Sequence, residues 1–234
     1  MPKRGLIVLC VLLILAGLAW LGVRLQDRDA VSRQDSEKPP VSIIKQPVLF
    51  ASRNFDPAAP PADMPPLSEG DVAECDSNFV SDASVSGESR KEDATHATLT
   101  ITHVKVTLQL KVNIWLPDGA TQRVIDHEDG HRYISEYFYQ GADKIADQIA
   151  ETYIGKQVEI TGTDLNAESS EVLGQMAAEI TDEFGKELNP GPTQTLYDNI
   201  TDHSRNDIVA KDAAVSAINN SALAAIRPAA SSGN

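Results

Sequence analysis

Residues 104–131 read VKVTLQLKVNIWLPDGATQRVIDHEDGH, a strand pattern followed by a turn and a helix pattern. Apolar residues occupy every second position of the first half, which predicts one long strand with a single buried face. They are Val104, Val106, Leu108, Leu110, Val112, Ile114 and Leu116. Pro117-Asp118-Gly119 then predicts a turn. A strand that leads directly into a helix in this way indicates an α+β fold with a small antiparallel or mixed sheet.

The alternation begins upstream in the opposite phase. Leu99 and Ile101 occupy odd positions, whereas the series from Val104 occupies even ones. Because a shift of one residue turns every side chain to the other face of a sheet, the pattern predicts a bulge or tight turn near Thr102-His103.

The helix carries the run His127-Glu128-Asp129-Gly130-His131, which matches the H-E-x-x-H signature of zinc hydrolases. Histidines four residues apart lie on one face of a helix, so both can bind one zinc ion. Glu128 lies beside them as the candidate general base, which takes a proton from water and passes it to the leaving amine. An edge strand before such a helix can bind an extended peptide by main-chain hydrogen bonds.

Two alternatives to a catalytic site are a chance match and a metal site without catalysis. Val124, Ile134 and Phe138 share the spacing of the two histidines, which places the motif on the inward stripe of the helix. Gly130 argues against a helix, since glycine costs about 1 kcal/mol relative to alanine there, unless another group packs close to it.

The third ligand is harder to predict. The apolar stripe continues through Ile145 and Ile149, so Thr121 to Tyr153 reads as one long helix that passes through Gly141. Glu151, an alternative third ligand, would then lie about 30 Å along the helix from His131. Only a sharp turn at Gly141 would bring it back. An H-E-x-x-H-x-x-G-x-x-H motif is excluded, because Ile134 and Tyr137 occupy its last two positions.

Further along, the pattern predicts a short strand at Val158–Ile160, a helix around Val172–Phe184, and a loop that reads Tyr197-Asp198-Asn199-Ile200-Thr201-Asp202-His203. With this run, the H-E-x-G-H motif and the strand end Leu116-Pro117, the chain resembles a bacterial family of predicted secreted zinc-dependent proteases, classed as a domain of unknown function. The likeness covers roughly residues 75–206, and Ser204 stands where the family pattern has glycine.

The resemblance implies His203 as the third zinc ligand beside His127 and His131, and the distance to Glu151 along a continuous helix agrees. Tyr197 is expected either to donate a hydrogen bond to a developing oxyanion or to be a buried structural residue. Asp198 and Asp202 are expected either to orient an imidazole or to cap the next helix.

At the N-terminus, Gly5 to Val23 is a run of 19 uncharged, mostly apolar residues preceded by Lys3 and Arg4. It predicts a single-pass anchor in a bacterial inner membrane, with the domain facing the periplasm. A cleaved signal followed by secretion is the alternative. The predicted organisation is an anchor or signal at residues 1–25, a proline-rich tether at 26–67, the domain at 68–226 and a disordered tail at 227–234. Within the tether, the more apolar Val41 to Phe50 could instead pack on the domain as a short strand. Ser81 to Asp93 is rich in serine and charge, which predicts a loop.

Composition narrows the function classes. The net charge of −14 argues against binding to nucleic acid. Cys75 is the only cysteine outside the apolar run, so neither a disulfide framework nor a cysteine metal site is expected. The sequence therefore predicts a zincin-like domain on a long H-E-x-x-H helix that hydrolyses peptide or protein substrates. The alternative is a non-catalytic zinc-binding envelope protein, and the oligomeric state is not predicted.

Overall fold

The computed structural model describes residues 39–67 and 70–226, and the compact unit that they form begins at Pro40. The predicted anchor at residues 1–25 and the tail at 227–234 lie outside these ranges. Within them, no helix is both long enough and apolar enough to cross a bilayer.

A five-stranded mixed sheet is built around one central strand, β4 (His96–Pro117). β3 (Glu74–Lys91) pairs antiparallel with one side of β4 along almost its whole length. The other side of β4 is shared by three short strands: β1 (Val41–Lys45) and β2 (Leu49–Phe55) run parallel to it, and β5 (Gln157–Thr161) runs antiparallel. Among the described strands, β3 therefore has a free outer edge.

Within the described ranges, five helices accompany the sheet: α1 (Gln122–Gln140), α2 (Ala142–Glu151), α3 (Leu165–Glu187), α4 (Gly191–Thr201) and α5 (Ala210–Ile226). The buried face of β4 forms the main core together with residues of α2 and α3. A smaller core joins α1, α4 and α5 around Ile134 and Tyr197. The predicted α+β class and mixed sheet are confirmed.

The predicted period-two strand is confirmed in β4. Every apolar residue of the series from Val104 to Leu116 is buried, with at most 8% of its surface exposed. The phase change is a bulge: Ser86 pairs with His103 and Gly87 with Ile101, so Thr102 has no partner on β3. Gly87 is needed there, because a Cβ at that position would lie 2.5 Å from the backbone oxygen of Thr100.

Two segments predicted as irregular are strands. The predicted tether contributes β1 and β2, whose backbones satisfy the second side of β4 while Val41 and Ile43 pack on the core. Pro47 lies between these strands and interrupts neither of them. Ser81–Asp93, predicted as a loop, belongs to β3 up to Lys91. Its serine-rich composition fits a strand with one face half-covered and the other exposed.

The predicted single helix over residues 121–153 is wrong, because it breaks at Gly141 into α1 and α2. The Gly141 N–H bonds back to the Phe138 carbonyl at 3.2 Å. Lys45 on β1 donates to the carbonyl of Gln140 at 2.7 Å, which satisfies an acceptor at the end of α1. The break lets the stripe that contains Ile149 pack on β1 and β4.

Candidate metal centre

Three ligand atoms from two helices converge at one point. His127 and His131 lie one turn apart on α1, and their Nε2 atoms are 3.2 Å apart. Asp198 on α4 places Oδ1 2.8 Å from Nε2 of His131 and 3.5 Å from Nε2 of His127. Within the described ranges, this is the one group of three or more histidine, cysteine or carboxylate residues close enough to hold a metal ion.

The spacing of the three atoms fits a zinc ion. Ligand atoms about 2.0–2.1 Å from a tetrahedral zinc lie roughly 3.3 Å from one another. The three distances here are 2.8, 3.2 and 3.5 Å. Two imidazoles and one carboxylate also supply the number and type of ligands that leave a fourth position open.

The hydrogen bonds of Gln194 indicate the tautomer of His131. The Gln194 Nε2 group donates to the backbone oxygen of His131 at 3.1 Å and to Oγ of Ser135 at 3.0 Å. Its Oε1 therefore accepts from Nδ1 of His131, at 2.7 Å. In neutral His131 this leaves a lone pair on Nε2, opposite the Asp198 oxygen, and two lone pairs at 2.8 Å need a cation between them. Either a proton or a metal ion satisfies that requirement.

The pKa values of Asp198 and His131 are shifted by the contact between them. Although burial opposes its ionisation, hydrogen bonds from His127 and His131 hold the pKa of Asp198 far below its usual range. Burial likewise opposes protonation of His131, but its hydrogen bond with Asp198 raises the pKa of the imidazole. A negative charge is therefore fixed beside two imidazoles, which favours a bound cation.

The Tyr197 ring packs against both histidines. Its ring stacks on His127 with centroids 5.0 Å apart, and it meets His131 edge to face at 4.8 Å. Its hydroxyl donates to the backbone oxygen of His127 at 2.9 Å. A Cβ on Gly130 would lie 2.1 Å from that hydroxyl, so the glycine permits the close packing expected of it. Because Tyr197 is fully buried in this contact, the structure favours the structural alternative over an oxyanion role.

Glu128 borders an open cavity of about 390 Å³ that also contains the three ligand atoms. The side chain is only 4% exposed, and no described residue donates a hydrogen bond to it. Burial raises the pKa of Glu128 to about 8; the charge on His131 opposes the shift, whereas nearby carboxylates, Glu74 first, add to it.

The strand that borders the cavity is β3, through its first residues Glu74 to Ser77. The sequence predicted β4 for this place, because β4 directly precedes the helix. β4 is instead central and paired on both sides. Only the pairing of β3, which lacks a continuous apolar pattern, reveals which strand is at the edge.

His203, predicted as the third ligand, is not in the group. Its Nδ1 lies 2.8 Å from Oδ1 of Asp71, near the start of β3. Tyr197 and Asp198 lie on α4 rather than in the predicted loop, and that helix turns the Asp198 carboxylate toward α1. Asp198, predicted to orient an imidazole, contacts both imidazoles and is also placed where it could bind the same metal ion.

The other predicted candidates lie elsewhere. Glu151 ends α2, which packs on β1, β4 and α3, so the break at Gly141 does not bring it to the histidines. Asp202 is the C-cap of α4, and its carboxylate forms no ion pair with an imidazole among the described residues. Asp202, His203 and Ser204 have φ values of +48°, +52° and +64°. Ser204 therefore adopts the left-handed conformation that glycine favours, at the position where the family pattern has glycine.

Sequence reasoning missed Gln194, which holds His131, and the ligand position of Asp198. Gln194 lies three residues before Tyr197 and four before Asp198, so the three share one side of α4. That spacing was the available signal, but it requires knowing that the segment is helical.

Comparison of the chain with models of protein families, with curated proteins and with solved structures finds no match.

Proposed function

We propose that this protein is a zinc-dependent peptidase with a zincin-like arrangement. The observation that carries the proposal is the convergence of His127, His131 and Asp198 in an open cavity, with the Glu128 carboxylate at its wall. The H-E-x-x-H motif supplies the helix geometry, and α4 supplies the third ligand. The resemblance to a family of predicted zinc-dependent proteases stays a prediction from the motifs, since no family model matches the chain.

In this proposal each residue has a defined task. Zinc, when bound by His127, His131 and Asp198, lowers the pKa of water and polarises a carbonyl group. Glu128 accepts the proton of the attacking water and passes it to the leaving amine. Burial raises the pKa of Glu128 to about 8, and a carboxylate with a pKa near neutrality can both take and release a proton.

A peptide is the substrate that the surroundings favour. The free edge of β3 presents backbone N–H and C=O groups at Glu74–Ser77, beside the cavity. An extended peptide can pair with such an edge by main-chain hydrogen bonds, which would hold its backbone across the cavity.

A non-catalytic zinc protein is the alternative. A structural zinc site uses four protein ligands and needs no base. Here three ligand atoms come together, and Glu128 is held within the protein while facing the cavity. These two features favour catalysis. The cellular location, an inner-membrane anchor or a cleaved signal, stays a prediction from the sequence because residues 1–38 lie outside the described ranges.

Replacing Glu128 with glutamine tests the mechanism. The change keeps the size of the side chain and removes the base, so we expect turnover of a casein or peptide-library substrate to fall by about 10²-fold or more. Zinc content should stay near one equivalent, because Glu128 is not a ligand.

Glu136→Gln is the matched control. It lies two turns further along α1, where it pairs with Arg132 at 3.1 Å, and it should change neither turnover nor zinc content. Unchanged turnover in Glu128→Gln would reject the proposed mechanism. Loss of zinc from that variant would make Glu128 a ligand or a structural residue.

A further inference from the structure

The wall of the cavity formed by β3 carries acidic groups that the proposed chemistry does not use. Glu74 and Asp76 line the cavity and are half-buried. No described lysine or arginine pairs with either of them, and none lines the cavity. Asp71, in contrast, is partnered by His203. Two unpaired carboxylates therefore lie on the strand that borders the cavity, on the sheet face that also carries their pairing partners Trp115 and Asn113.

A second observation also indicates that this cavity binds a ligand. Independently of Glu74 and Asp76, Glu128 is only 4% exposed, makes no hydrogen bond with the described residues and lines the same cavity. Burial raises the pKa of Glu74, and the charge on Asp71 adds to that shift, so the carboxylates repel one another. A cation placed between Glu74 and Asp76 would relieve this repulsion.

The geometry of a strand sets what that cation can be. Glu74 and Asp76 are two residues apart on β3, so their side chains leave the same side of the strand about 7 Å apart. A peptide paired with the edge of β3 presents its own side chains at the same period. One lysine or arginine side chain of that peptide would then lie beside both carboxylates.

We propose that the site selects peptides with a lysine or arginine within about two residues of the cleaved bond, and that Glu74 and Asp76 bind that side chain. The position relative to a cleaved bond rests on the proposed function, whereas the binding of the lysine or arginine side chain does not. Acidic peptides are disfavoured by the same two carboxylates, in addition to the net charge of −14.

Binding to a protein without turnover tests the inference separately from catalysis. The probes are acetylated and amidated octapeptides of alanine and glycine with one central lysine, glutamine or glutamate. Their affinity for the zinc-loaded Glu128→Gln full chain is measured by calorimetry at low salt. We expect the lysine peptide to bind at least tenfold more tightly than the glutamine peptide, and the glutamate peptide to bind least.

Adding Glu74→Gln and Asp76→Asn should reduce the lysine preference below about threefold, and each single change should reduce it in part. The matched control is Asp82→Asn with Glu88→Gln, which removes the same charge from exposed positions of the same strand and should keep the preference. Circular dichroism and zinc content verify folding of each variant.

Several outcomes would overturn the inference, and one would support it while rejecting the proposed function. A preference that persists in Glu74→Gln/Asp76→Asn overturns the inference, and so does equal binding or no binding of the three peptides. The inference is also overturned if the protein binds a second zinc equivalent that is lost in this double variant, because Glu74 and Asp76 would then be metal ligands. Lysine preference in a protein that hydrolyses no peptide supports the inference while rejecting the proposed function.

Discussion

At the scale of single residues, the contact between Gly130 and Tyr197 decides how the histidines are held. The Tyr197 hydroxyl occupies the space where a side chain at position 130 would begin, and it fixes the backbone oxygen of His127. The glycine weakens the helix locally, but it allows the buried Tyr197 ring to stack against the His127 imidazole. A residue with poor helix propensity is therefore explained by its packing.

Gly130→Ala should destabilise the protein. Alanine gains about 1 kcal/mol of helix propensity, but its Cβ would lie 2.1 Å from the Tyr197 hydroxyl and force the ring away from His127. We expect a lower melting temperature and weaker zinc binding. Gly174→Ala is the control, since a Cβ on this exposed glycine of α3 meets nothing within 4 Å, and it should raise the melting temperature by a few degrees. Equal shifts of the two variants would contradict the packing argument.

The proposed third ligand, Asp198, could not be predicted from residue patterns. His127, Glu128 and His131 are predictable because their spacing alone places them together on a helix. Asp198 is not, since it approaches the histidines only through the packing of α4 on α1, which joins positions about 70 residues apart. The family resemblance favoured His203, but its imidazole contacts Asp71 instead.

At the scale of elements, the sequence pattern predicts a strand where one face of that strand is buried, and it fails to predict a strand whose faces are largely exposed. The period and the bulge of β4 follow from its apolar residues, because burial on one side requires them. β1, β2 and much of β3 are short of buried residues, and they form because β4 offers unpaired backbone groups. Such strands are determined by their partner more than by their own sequence.

Truncation tests whether β1 and β2 belong to the domain. A chain that begins at Pro40 keeps every described strand and should fold cooperatively. A chain that begins at residue 57 lacks β1 and β2, which leaves β4 unpaired along residues 104–108 and 111–117. An exposed edge of this kind promotes aggregation, so light scattering should rise and the melting temperature should fall. Indistinguishable melting curves would support the tether instead.

At the scale of the whole molecule, the sheet and the helices meet at one acidic cavity. The class of the fold was predictable, since a long strand followed by a helix restricts the architecture. The position of the cavity was not, because it depends on which strand lies at the edge of the sheet and on the packing of α4 against α1. Both result from packing between distant segments rather than from local pattern.

The central claim is that α1 and α4 together hold one zinc ion, with Asp198 as the third ligand. Competition with a chelating dye measures the zinc affinity of the wild type, Asp198→Ala and His203→Ala. We expect Asp198→Ala to weaken binding by about 10²-fold or more, because the proposed charged ligand is lost, and His203→Ala to stay within a few-fold of the wild type. Tight binding retained by Asp198→Ala but lost by His203→Ala would contradict this account of the metal centre.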